Sequence, residues 1–152
     1  RESQRNSLKT SKTGMVVTLD IGNNTNIHPA NKQDVGKRLA RLALTNDYNS
    51  GLNPLGPILK SVERLNNSVK LNYDHVADGL LHLKSKVNQF KIAGPDNQFF
   101  EGIVLINKDN ILISSDFIKN PKYVSYAWSD TPEATLFNSD GFPASSFMIE
   151  VD

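Results

Sequence analysis

Between Ile58 and Val151 the apolar residues fall into eight short runs, each closed off by turn-forming residues. The runs cover 58–65, 69–73, 80–83, 90–93, 99–106, 111–115, 123–128 and 147–151. Runs of this length are typical of strands, and regular spacing with turn signals between them predicts an antiparallel β layer. Asn66-Asn67 and Lys108-Asp109-Asn110 carry the residues that hairpin turns favour. A β-sandwich or similar module is therefore expected over 58–152.

The first third of the chain has a different character. Residues 15–21, Met-Val-Val-Thr-Leu-Asp-Ile, form a nearly continuous apolar run after Gly14, as in a strand buried on both faces of a parallel sheet. A polar loop, Gly22-Asn-Asn-Thr-Asn26, follows, and Ile27-His-Pro29 leads into an expected helix over 30–48. Val35, Leu39 and Leu42 stand at i, i+4 and i+7, an apolar stripe, with Lys37, Arg38 and Arg41 largely off it. Pro29 suits the first helical position, which would put His28 at or beside the N-cap. Residues 49–57 are dense in Gly, Pro and Asn and read as a linker. The fold class implied is a strand-and-helix edge of an α/β domain followed by a mostly antiparallel β-sandwich-like module.

Composition narrows the partners. Seventeen basic and sixteen acidic residues leave a formal charge of +1, which favours neither a nucleic-acid stripe nor a membrane-binding surface. Cysteine is absent, so disulfides and thiolate metal sites within the chain are excluded. The opening Arg1-Glu-Ser-Gln-Arg5 lacks a signal-peptide pattern and reads as mid-protein sequence.

A histidine on a loop between strand and helix is physically suited to be a catalytic base, because such loops carry the active sites of open α/β sheets. A His-Pro pair at a helix start is equally an ordinary structural feature. The surrounding string decides between them. Thr18-Leu-Asp-Ile-Gly22, Asn26-Ile-His-Pro29 and Asn31-Lys-Gln-Asp-Val-Gly-Lys-Arg-Leu-Ala40 closely resemble the sialate O-acetylesterase family of the SGNH (GDSL-like) hydrolase superfamily. Arg1-Glu-Ser-Gln4, Asp74-His-Val-Ala-Asp-Gly-Leu80, Phe90-Lys-Ile-Ala-Gly94, Tyr126-Ala-Trp-Ser-Asp130 and Leu136-Phe-Asn-Ser-Asp-Gly-Phe-Pro-Ala-Ser145 extend the resemblance in order along nearly the whole chain.

That resemblance implies a serine esterase removing O-acetyl groups from sialic acids, without metal or cofactor, in which His28 is general base and acid. Acetylxylan is a second substrate class within the same superfamily, and a non-catalytic glycan-binding or packing module is the rival reading of the β region. The G-Q-S or G-D-S nucleophile motif does not occur in these 152 residues. The serine and oxyanion hole are therefore expected from the N-terminal part of the same enzyme or from a second chain. This chain by itself is expected to be inactive. Asn26 stands where the family often has Asp. It can hold an imidazole by a hydrogen bond but supplies no negative charge. A Ser–His dyad helped by a backbone carbonyl, or Asp20 as orienter, are the alternatives. The family implies a periplasmic or extracellular location and an O-acetylated sugar as partner.

Other residues read more plainly. His75 and His82 lack an acidic cluster, and a turn or strand-end role is expected for Asp74-His75 rather than a metal site. Asp34 would complement the helix dipole. Tyr126 and Trp128, at period-two spacing, would share one strand face turned to the core; a sugar-stacking platform formed with Tyr123 is the alternative.

Overall fold

A computed structural model describes residues 1–151. The chain forms helices α1 (Glu2–Ser7) and α2 (Gln33–Tyr48), then ten strands. These are β1 (Ile58–Leu65), β2 (Ser68–Asp74), β3 (Leu80–His82), β4 (Phe90–Ala93), β5 (Phe99–Glu101), β6 (Ile103–Ile106), β7 (Asn110–Ser114), β8 (Tyr123–Tyr126), β9 (Leu136–Asn138) and β10 (Phe147–Glu150). All pairings are antiparallel, in two four-stranded sheets ordered β1-β2-β7-β6 and β10-β8-β4-β5, with β3-β9 as a third, two-stranded sheet.

The core is the space between the two larger sheets. Val69, Leu71 and Tyr73 of β2 and Ile111 and Ile113 of β7 alternate inward from one side. Phe90, Ile92, Val124, Tyr126 and Phe147 do so from the other. This is the buried-in, exposed-out alternation that strand geometry imposes. Phe90 and Tyr126 sit with ring centroids 4.6 Å apart, and Phe147 continues the cluster at 6.1 Å.

The expected run over 99–106 is two strands belonging to different sheets. Its break is Gly102, whose N–H donates to the Phe90 carbonyl at 3.0 Å while its carbonyl accepts from Asn88. A Cβ there would lie 2.8 Å from Ile113 Cγ2, so any larger residue would have to displace the Ile113 side chain where the backbone crosses between sheets at this corner. Both expected hairpins form. Asn66, at φ 54°, turns β1 into β2, and residues 107–110 turn β6 into β7. β9 and the short α1 have no counterpart in the sequence-based expectation.

Three expectations for the first third need correction. Residues 15–21 have no ladder partner among the described residues, so the expected strand is an unpaired segment lying against the β module. A strand is defined by its neighbours, and none is supplied here. The helix begins at Gln33, with Lys32 as N-cap, so Pro29 is not its first residue and His28 lies well outside it. Asn31 sets that boundary: its Oδ1 accepts the Asp34 N–H at 3.1 Å and its amide donates to the Asp34 carboxylate at 2.8 Å. The Asn31 amide bond to the carboxylate, and after it the Lys37 bond, hold the Asp34 carboxyl below its ordinary pKa. Finally, the buried face of α2 is centred on Arg38 and Leu42, while Leu39 is half-exposed.

Residues 49–57 connect the helix to β1 but are firmly docked. Pro54 and Pro57 are buried, Arg41 Nε donates to the Asn53 carbonyl at 2.6 Å, and the Asn53 amide reaches Asp140 at 3.1 Å. At Gly56 a Cβ would fall 2.1 Å from the Pro143 carbonyl oxygen. Gly56 and the buried Pro54 and Pro57 thus serve close packing here.

Candidate active-site loop and its surroundings

The loop over 22–30 is shaped by two asparagine side chains. Asn23 Oδ1 accepts from the Thr25 N–H (2.8 Å), the Thr25 hydroxyl (2.9 Å) and the Asn26 N–H (3.1 Å). Asn26 Oδ1 in turn accepts the His28 N–H at 2.8 Å. Short polar side chains that bond to the backbone two residues on are the ordinary means of fixing such turns. Asn26 thus touches His28 through its backbone, not through the imidazole. The His28 ring is exposed and makes no hydrogen bond among the described residues, which leaves both nitrogens available to an incoming hydroxyl.

Asp20, the alternative orienter, is committed elsewhere. Arg38 donates to both its carboxylate oxygens, at 2.8 and 2.5 Å, and to the Val17 carbonyl at 2.5 Å. The hydrogen bond to Asp20 raises the Arg38 pKa above its ordinary value. The pair is largely buried, with side chains 10% and 18% exposed. It ties the segment just before the histidine loop to the middle of α2, so Asp20 acts as an anchor for the loop.

The β module carries its own polar anchor. Asn138 is fully buried. Its amide donates to the carbonyls of Leu55 and His75, each at 2.9 Å, and its Oδ1 accepts the Phe142 N–H at 2.9 Å. One side chain thereby joins the docked connector, the turn after β2 and the closing loop. Arg41 and Arg38 lie over the Phe142 ring, at 5.2 and 5.9 Å from its centroid.

His75 is exposed at φ 59°, as expected of a turn. His82 rests edge-on against Phe90, and burial lowers its pKa. No group of His, Cys, Asp and Glu among the described residues could hold a metal ion. No helix among them is long and apolar enough to cross a membrane.

Trp128 departs from its expected place. Tyr126 is buried in the core, but Ala127 takes φ 48° and the strand ends, so Trp128 turns outward and is 41% exposed. The Ser129-Asp130-Thr131-Pro132 string after it is the signal that strand alternation stops there.

No protein-family model matches the chain, and no curated protein matches it significantly. Among solved structures it is similar to a carbohydrate acetylesterase from Xanthomonas citri, at 37% identity and a TM-score of 0.91. The likeness is to part of a carbohydrate acetylesterase. It covers 97% of this chain and 35% of the Xanthomonas acetylesterase, so this chain spans about a third of that enzyme's length. The coverage includes both the histidine loop's surroundings and the β module, since only 3% of this chain can lie outside it.

Proposed function

We propose that this chain is part of a serine carbohydrate esterase that removes O-acetyl groups from sugars, with sialic acid as the sugar. The observation that carries the reading is its likeness, at 37% identity over 97% of the chain, to a carbohydrate acetylesterase. His28 is the general base for a serine supplied by the rest of the enzyme. It takes the hydroxyl proton as the serine oxygen attacks the acetyl carbonyl, and returns it to the sugar alkoxide as that group departs. A water then repeats the sequence on the acyl-serine, releasing acetate. Asn26 is a positioning residue, holding the His28 backbone through its N–H so that the ring is presented at a fixed place. The parent enzyme is periplasmic or extracellular, a location that rests on the family resemblance.

The test uses the full-length enzyme on an aryl acetate. His28→Ala is expected to lower kcat by about 10⁴-fold, the scale on which triad members act. Unchanged turnover would remove His28 from the mechanism. Asn26→Asp keeps the acceptor for the His28 N–H and should retain activity, whereas Asn26→Ala should lose at least about tenfold in kcat with KM little changed. Comparing kcat/KM on O-acetylated sialic acid and on acetylated xylan assigns the sugar; a preference for xylan overturns the sialate assignment and leaves the esterase chemistry intact.

A further inference from the structure

The outward turn at Ala127 gives Trp128 a surrounding that suits one class of ligand. The indole stands between two hollows. One, of about 450 Å³, is bounded by Arg1, Glu2, Ser129 and Asp130. The other, of about 200 Å³, has Gln89, Lys91 and Ser125 on the sheet side and Thr131 and Glu133 on the loop side. Ser125 and Gln89 are nearly buried, yet the Ser125 hydroxyl and the Gln89 side-chain oxygen have no hydrogen-bond partner among the described residues. Lys91 forms no ion pair among them either. A flat aromatic face beside an unengaged hydroxyl, amide oxygen and ammonium group is complementary to a pyranose ring, which is apolar on its C–H faces and polar around its rim.

The cleft is also preformed. The Tyr126 hydroxyl accepts the N–H groups of Thr135 and Leu136, at 2.9 and 2.8 Å, and so closes the base of the 127–134 loop. Arg1 donates to the Ser129 carbonyl, and Ser85 donates to Glu133, bracing the loop from two further sides. The Ala127 N–H donates to the Gln89 carbonyl at 2.9 Å, which fixes the conformation that projects Trp128. Little ordering remains to be done on binding, and preorganisation of this kind favours affinity.

We infer that the Trp128 cleft is a glycan subsite in which a pyranose residue stacks on the indole and hydrogen-bonds to Ser125, Gln89 and Lys91. The choice of sugar over other flat ligands rests on the carbohydrate esterase reading. The subsite holds a sugar of the chain being processed, not the acetyl group itself.

Trp128 is the chain's one tryptophan, so its fluorescence reports on this cleft alone. The 152-residue chain is titrated with a xylooligosaccharide and with sialyllactose through the millimolar range. A saturable change in emission with either sugar is expected. Calorimetry with the sugar that binds should then show at least about tenfold weaker binding for Trp128→Ala and a smaller loss for Trp128→Phe, which keeps a stacking face. A flat titration with both sugars overturns the inference, as does undiminished binding by Trp128→Ala. The measurement needs no turnover. A failed His28 assay therefore leaves its result standing, and a flat titration leaves the esterase chemistry untouched.

Discussion

Arg38 holds Asp20 by two parallel hydrogen bonds, 2.8 and 2.5 Å long, in a site from which most water is excluded. The pair joins positions 18 residues apart and fastens the approach to the histidine loop onto α2. Removing one member leaves the other charge half-stranded. Asp20 and the Val17 carbonyl together lose three donor contacts in Arg38→Met.

Arg38→Met is accordingly expected to cost roughly 2–3 kcal/mol, less than a fully buried pair because the carboxylate retains some water. Urea unfolding measures the loss. Limited proteolysis should show new cleavage over residues 15–30 before any in the β module. A change under about 0.5 kcal/mol would mean the segment is held by its apolar contacts alone.

Asn138 makes three hydrogen bonds with no exposed surface. Asn138→Ala leaves the Leu55 and His75 carbonyls and the Phe142 N–H without a partner, at a net cost of about 1 kcal/mol for each bond and more if the groups stay dry. A loss of roughly 3 kcal/mol in chemical denaturation is expected. Asn138→Asp retains the acceptor for Phe142 but none of the amide donors, and it should fall at least as low.

Much of the β module could be read from the sequence because each strand there meets its own partners within the chain. The alternation of Val69, Leu71 and Tyr73 against Ile111 and Ile113 is written in side-chain polarity, and the hairpin turns are written in Asn66 and Asp109. The errors lie where tertiary contacts override local pattern. Helical spacing puts Arg38 off the apolar stripe, but Asp20 compensates its charge and draws it inward. The spacing from Tyr126 points Trp128 inward, but one residue at positive φ reverses its direction. Residues 15–21 carry the composition of a buried strand, and composition does not state which neighbours are present. At the candidate site the string around His28 is what singles that residue out in the sequence. It could not show that Asn26 grips the backbone rather than the ring, since both roles ask for the same amide.

Tyr73 offers a test with the opposite sign. Its hydroxyl is buried with no hydrogen-bond partner among the described residues, and burial raises its pKa well above the ordinary tyrosine value. An unsatisfied buried hydroxyl is destabilising, so Tyr73→Phe should raise stability by about 1 kcal/mol. A loss of stability in that variant would show that the hydroxyl has a partner, such as a bound water.

His82 gives the β module a pH dependence. Desolvation beside Phe90 lowers its pKa in the folded chain from the ordinary 6.5, so the folded state binds its proton less readily than the unfolded chain does. Stability from the neutral ring is therefore full above pH 6.5 and declines as pH falls through that value toward the folded-state pKa. Because the side chain is partly open to water, the effect is expected to be small. Proton NMR should show His82 titrating below the ordinary histidine value, and the urea midpoint should fall on acidification from neutral pH. His82→Gln removes the titrating group while keeping a polar side chain on β3, and it should flatten that part of the pH profile. An unchanged slope in the variant would assign the dependence to another group.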